Sequence, residues 1–128
     1  MRGKMKTIIA GSRTVSKDDV EDAIQECPIT RDITTVVSGT ARGADTYGEE
    51  WAGVWGVNIV RFPADWDKFG RAAGMVRNKE MAEFADALIA VWDGSSPGTK
   101  NMIANAKQRG LIVWVWDVSE QDGYYECT

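Results

Sequence analysis

The sequence predicts a single α/β domain built on a doubly wound parallel sheet of about five strands with flanking helices. Short apolar runs alternate with helix-period segments from residue 5 to residue 116, as a parallel sheet with crossover helices requires. The connections between them are short, which suits right-handed crossovers. Three turns rich in Gly, Ser and Thr each begin where an apolar run ends. They are Gly11-Ser12-Arg13, Ser38-Gly39-Thr40-Ala41-Arg42-Gly43-Ala44-Asp45 and Asp93-Gly94-Ser95-Ser96-Pro97-Gly98-Thr99.

Taken in order, residues 5–11 read as a buried strand. Residues 16–27 read as an amphipathic helix, with Ser16 as N-cap, Asp18 and Asp19 in the first turn, and Val20, Ala23, Ile24 and Cys27 on one face. Residues 33–38 form a second strand. Residues 42–55 form a helix with Ala44, Tyr47, Trp51, Val54 and Trp55 at helical spacing, closed by Gly56. A third strand at 57–62 stops at Pro63, and a loop with Asp65, Trp66 and Asp67 follows. Residues 72–85 are helical, with Met75, Met81, Phe84 and Ala85 as core candidates. Strand 86–92, helix 99–109 and strand 111–116 complete the alternation. Residues 117–128 read as a polar tail, loose or used in self-association. With strand order 3-2-1-4-5 the switch point falls between the first and fourth strands. There the first and third turns face each other, with the second beside them.

Composition narrows the chemistry. The 128 residues carry 15 basic and 19 acidic side chains, a net charge of −4, with 44% hydrophobic and 27% charged residues. That fits one globular domain, 1–128, with a core of its own. It argues against broad binding to duplex nucleic acid, which needs a basic face. No histidine is present, so Ser-His-Asp and Cys-His catalysis and the common zinc sites are excluded. No metal site or resident cofactor is expected. Cys27 and Cys127 stand far apart with no CxxC pattern and are expected as free thiols. No apolar run approaches a membrane span and no signal-peptide pattern opens the chain, so the cytoplasm is the expected location.

The turns supply the candidate site. Gly- and Ser-rich turns leading into helices offer backbone N–H groups to an anion. Gly11, Ser12 and Arg13 can hold a phosphate, or simply turn the chain with Arg13 on a surface carboxylate. Ser38, Gly39, Thr40 and Gly43 let backbone approach a ligand, with Arg42 as a phosphate clamp or a solvated side chain. Asp45 can accept ribose hydroxyls or favour its helix N-terminus. Gly94, Ser95, Ser96, Gly98 and Thr99 form a third wall, and capping alone does not explain five Gly, Ser or Thr among seven residues. Trp66 can stack on a base or anchor its loop. Arg77 with Glu80, or with Asp65, would make a minimal hydrolytic pair. An exposed helix-surface ion pair is the plain alternative. Trp114 and Trp116 share one face of the last strand, a dimer surface if that strand is an exposed edge.

Lys6 to Arg13, the Ser38–Asp45 turn, Pro63-Ala64-Asp65-Trp66, Ala73-Gly74-Met75-Val76-Arg77-Asn78 and the Asp93–Thr99 turn together resemble the YspA-like branch of the SLOG superfamily. That superfamily includes the DprA recombination mediators and the LOG-type nucleotide hydrolases. The resemblance implies a Rossmann-like fold of bacterial or phage origin that senses or sequesters a nucleotide-derived ligand, with Arg77 and Asn78 as ligand contacts and a homo-oligomeric assembly. LOG-type cleavage of an N-glycosidic bond and DprA-type binding of single-stranded DNA are the alternatives. The LOG pattern PGGxGTxxE would set a glutamate where Met102 stands, and its paired glycines are absent here.

Overall fold

The computed structural model of the chain describes residues 5–126. Strands β1 (Met5–Gly11), β2 (Ile33–Ser38), β3 (Asn58–Arg61), β4 (Ala87–Trp92), β5 (Ile112–Asp117) and β6 (Asp122–Tyr125) form one sheet in the order β3-β2-β1-β4-β5-β6. The first five run parallel, and β6 pairs antiparallel with β5. Helices α1 (Lys17–Glu26) and α2 (Ala44–Trp55) cover one face. α3 (Trp66–Phe69) and α4 (Ala73–Phe84) lead from β3 to β4, and α5 (Pro97–Gln108) from β4 to β5. Among the described residues no helix is long and apolar enough to cross a membrane.

Strand alternation explains the two layers of core. Successive side chains point to opposite faces, so Ile9, Val36, Val91, Trp114 and Trp116 meet Val20 and Ile24 of α1 and Ala52 of α2. Ile8, Val37, Leu88, Ala90 and Val115 meet Met81 of α4 and Met102 and Ile103 of α5. Because β1 and β4 are covered on both sides, β4 reads as an unbroken apolar run and β1 does so over Ile8, Ile9 and Ala10, rather than alternating. Each large aliphatic side chain taken wholly out of water there contributes about 1.5–3 kcal/mol.

Helix α1 follows its sequence closely. Ser16 Oγ accepts from Asp19 N at 3.1 Å and Asp19 Oδ2 accepts from Ser16 N at 2.9 Å, a complete capping box. Helix α2 presents a different face from the one its large residues suggest. Ala44, Asp45, Gly48 and Ala52 are buried, whereas Val54 and Trp55 are 81% and 70% exposed. Small residues four apart let the helix lie close to β1, and a Cβ on Gly48 would stand 2.7 Å from Ile9 Cγ2. The bulky residues are left to flank that contact. Met75 is likewise exposed rather than in the core, whereas Met81 and Ala85 are buried. The expected loop after β3 contains the short helix α3, capped by Asp65 Oδ1 accepting from Lys68 N at 3.0 Å.

The polar tail is also corrected. Residues Asp122–Tyr125 add the sixth strand, so β5 is interior and Trp114 and Trp116 do not form an exposed edge. Tyr125 meets the Trp114 ring edge-on with centroids 5.2 Å apart, and Gly123 leaves room for that indole. Cys27 is a buried free thiol. Cys127 lies outside the described residues.

Candidate functional site

The carboxyl ends of β1, β2 and β4 meet at the switch point between β1 and β4, and the three turns close around one another there. Gly11 makes that closure possible, because a Cβ on it would stand 2.1 Å from the Val91 carbonyl oxygen. The next residue stitches the first turn to the third. Ser12 N donates to Val91 O at 3.0 Å, and Ser12 Oγ accepts from Asp93 N at 3.2 Å. Gly43 brings in the second turn. Its φ is +80°, and a Cβ would press on the carbonyl oxygens of Ser12 and Arg13 at 2.6 and 2.7 Å.

A crevice of about 440 Å³ opens between these turns and α4, within the range of roughly 300–1,000 Å³ usual for small-molecule sites. Arg13, Arg71 and Arg77 bring positive charge to it, and Asp45 and Asp93 negative charge. Trp66 and Met75, 55% and 59% exposed, flank its mouth, while Asp45 at 5% exposure lies deep. A second groove of about 690 Å³ runs between α1 and α2, toward the start of β2 at Ile33 rather than the carboxyl ends of the strands, and takes in Trp51, Val54 and Trp55.

Most of the hydroxyls that the sequence offers to a ligand are engaged inside the protein. Ser38 Oγ donates to Glu49 Oε2 at 2.6 Å and accepts from Thr40 N at 3.1 Å. Glu49 in turn pairs with Arg61 at 2.8 Å. This holds Thr40 at a φ of +63°, a conformation that costs a non-glycine residue about 1–3 kcal/mol. In the third turn, Asp93 accepts from Ser95 N, Ser96 N and Ser96 Oγ at 2.9, 2.8 and 2.6 Å. The Ser96 hydroxyl first, then the two amides, hold its carboxyl far below the usual carboxylate range. Internal bonding therefore accounts for the two serines of that turn.

Several groups remain open to the crevice. Ser96 makes no side-chain cap on α5, and the N–H groups of Gly98 and Thr99 at this helix N-terminus have no hydrogen-bond partner among the described residues. Thr99 is buried, lines the crevice and makes no side-chain hydrogen bond among the described residues. Arg77 is fixed at two corners. Nη1 donates to Gly39 O and Nε donates to Asn78 Oδ1 at 3.1 Å. Asn78 is anchored in its turn by donating to Gly98 O at 3.3 Å and Asn101 Oδ1 at 3.0 Å. Arg77 Nη2 has no partner among the described residues, and it lies on the Gly74 and Trp66 side. The result is a guanidinium held in place with one face unsatisfied.

Burial pushes the Asp45 carboxyl up to about 6, against the Ala41 amide and the Arg77 charge, which hold it down. Its free carboxyl reference is 3.8, so folding favours the protonated form. This contribution to stability is whole below about pH 4 and is lost as pH rises through 6. The shift corresponds to about 3 kcal/mol. Asp45→Asn, whose amide oxygen can still accept from Ala41 N, is therefore expected to be more stable than wild type at pH 7.5. Its advantage shrinks as pH falls from 6 to 4. Urea melts at several pH values check this, and a difference that is flat with pH would contradict it.

Of the residues singled out in the sequence, Gly11, Ser12, Arg13, Asp45, Trp66, Arg77, Asn78, Ser96, Gly98 and Thr99 line the crevice. Ser38, Gly39, Thr40 and Gly43 shape it from behind. Arg42, Gly94 and Ser95 are exposed and lie outside its lining. Glu80 is exposed and Asp65 caps α3, so neither stands in the lining with Arg77. Arg71 and Thr14 line the crevice without having been singled out. Among the described residues no cluster of acidic, cysteine or histidine side chains could hold a metal ion.

Comparison with known proteins agrees with this architecture. The model of the family described as YspA, cpYpsA-related SLOG matches residues 5–69. The Gene 61 protein of Mycobacterium phage D29 is 34% identical over 121 residues, covering 84% of this chain and 93% of that protein. The X-ray structure of DNA processing protein A (DprA) from Streptococcus pneumoniae is similar in fold, with a TM-score of 0.67 at 18% identity over 87% of this chain. The chain spans about half the length of that protein.

Proposed function

The chain belongs to the YspA, cpYpsA-related SLOG family, and from that premise we propose that its crevice binds a nucleotide or nucleotide-derived small molecule in order to sense or sequester it. The observation that carries this reading is the meeting of three complementary elements in one crevice. They are a positioned guanidinium with an open face, the uncapped N-terminus of α5, and a half-exposed indole at the mouth. A phosphate suits the first two, and a base suits the third. The walls are rigid, since Ser12, Asp93 and Gly43 lock the turns to each other before any ligand arrives.

Retention rather than turnover is favoured by what faces the crevice. Among the described residues the carboxylates that line the crevice are Asp45 and Asp93. Asp45 is deep and held by Ala41 N at 3.1 Å, and Asp93 is taken up by Ser95 and Ser96. Isothermal titration against ribonucleoside mono- and diphosphates, dinucleotides and ADP-ribose tests the proposal. Binding in the micromolar range with no product on chromatography is the expected result. Absence of binding across the whole set would overturn it.

A second reading has its own observation. Trp66 and Phe69 are exposed on α3 beside Lys68 and Arg71, a small stacking surface with basic neighbours of the kind that holds single-stranded nucleic acid. The same titration with a short oligonucleotide separates the two. Affinity that persists at 150 mM salt would favour the strand, and affinity only at very low salt would remove it.

A further inference from the structure

Asp45 is the most deeply buried charged group of the crevice, 5% exposed, and it is only half satisfied. Its Oδ2 accepts from Ala41 N at 3.1 Å. Its Oδ1 makes no hydrogen bond among the described residues. Arg77 acts on it electrostatically yet, among the described residues, forms no ion pair with it, although Asp45 Oδ2 and Arg77 Nη1 both lie beside Gly39, 2.8 and 2.7 Å from a would-be Cβ there. Oδ1 is not walled off, since among the described residues the fully buried side-chain atoms without a partner are Thr7 Oγ1 and Trp114 Nε1. It keeps accessible surface where Asp45 lines the crevice. A purely structural helix-start carboxylate would do as well at the surface, where Asp18 and Asp19 of α1 sit. The open oxygen is therefore an acceptor that can take a donor from a ligand in the crevice.

We propose that this donor is a hydroxyl of the ligand's sugar, so that the crevice reads ribose in preference to deoxyribose. The inference rests on the nucleotide reading above and adds to it which half of the nucleotide lies deep. The flat face available for a base, Trp66, is at the mouth, and the arginines and the α5 N-terminus provide for phosphate. What remains for the floor is the sugar. A carboxylate is acceptor-only and answers a hydroxyl, not another oxygen acceptor. A site built to bond a hydroxyl discriminates strongly against the analogue lacking it, because its own buried group is then left unpaired.

The test uses probes without a base, so that the choice of base does not enter: ribose 5-phosphate, 2-deoxyribose 5-phosphate and inorganic phosphate, titrated by NMR into wild type and Asp45→Asn. Asp45→Ala serves as a second variant, and thermal melts confirm folding. The expected result is at least tenfold tighter binding of ribose 5-phosphate than of the deoxy sugar. That ratio falls toward one in both variants, while inorganic phosphate binds both variants at least as tightly as wild type, since a negative charge near Arg77 has been removed. Equal binding of the two sugars to wild type, or a ratio unchanged in both variants, would overturn the inference and leave the nucleotide reading standing. Failure of all three probes to bind wild type would overturn the nucleotide reading, and the inference with it.

Discussion

Gly11→Ala is expected to remove most of the protein's folding stability, although it adds a single methyl group. The new Cβ would stand 2.1 Å from Val91 O and 2.9 Å from Val91 C, both backbone atoms of the neighbouring strand, and 3.0 Å from Ala44 Cβ. No rotamer change can relieve a clash with a ladder carbonyl. β1 and β4 must part where Gly11 pairs with Val91, and the Ser12 N bond to Val91 O is lost with them. Clashes of this kind fall in the exceptional class of about 4 kcal/mol or more, against a total of about 5–15 kcal/mol for a domain. Gly53→Ala is the matched control. A Cβ there meets nothing within 4 Å, and alanine in an exposed helix interior is worth about 0.5–1 kcal/mol over glycine. Urea denaturation should move the two midpoints in opposite directions. Equal midpoints would mean that the strands tolerate the methyl group.

Arg77→Met should lower affinity for a phosphorylated ligand by roughly 10- to 150-fold, the equivalent of about 1.5–3 kcal/mol for a charge-assisted hydrogen bond. Methionine keeps the stem's volume and removes the fork. The loss divides into two parts that separate measurements can resolve. Gly39 O and Asn78 Oδ1 lose their donors, which lowers the melting temperature. The open Nη2 is lost as well, which affects binding alone. Arg77→Lys restores charge but cannot hold both Gly39 and Asn78 while facing the crevice, so it should recover little of the affinity. Full affinity in the lysine variant would reduce Arg77 to a point charge.

The fold was legible where burial on both sides concentrated apolar residues in short runs. Met5–Gly11 and Ile33–Ser38 keep the bounds their apolar runs suggest, and Ser16 marks the start of α1 by a bond that depends only on neighbouring residues. Periodicity misled in α2, where size of side chain and depth of burial part company. Trp55 fits the helical spacing of a core residue, yet close approach to Ile9 demanded Gly48 and Ala52 instead. The sixth strand was hidden because Asp122-Gly123-Tyr124-Tyr125 has no apolar alternation. It is held by its ladder to β5 and by the Trp114 ring, which no local pattern displays. At the site, the glycines were informative and the serines less so. A turn's shape is written in its glycines, whereas the partner of a hydroxyl is chosen by distant residues such as Glu49 and Asp93. Arg71 escaped notice for a similar reason, since it sits on a short turn whose aim is set only by α3 and α4.

The position of β1 at the middle of the sheet has a consequence for synthesis. β1 joins β4 across long sequence gaps, as in the bond from Lys6 N to Asp86 Oδ2 across 80 residues, while β2 and β3 lie close behind it in the chain. A polypeptide leaving the ribosome can assemble β1, β2 and β3 under α1 and α2 long before β4 exists. The opposite face of that half-sheet, Ile8, Ala10 and Val37, stays bare until α4, β4 and α5 arrive to cover it. Non-local pairings of this kind slow folding and leave sticky intermediates. Until Val91 reaches Gly11 there is no crevice, so a ligand cannot rescue the growing chain. A ligand of the proposed crevice would stabilise only the finished one.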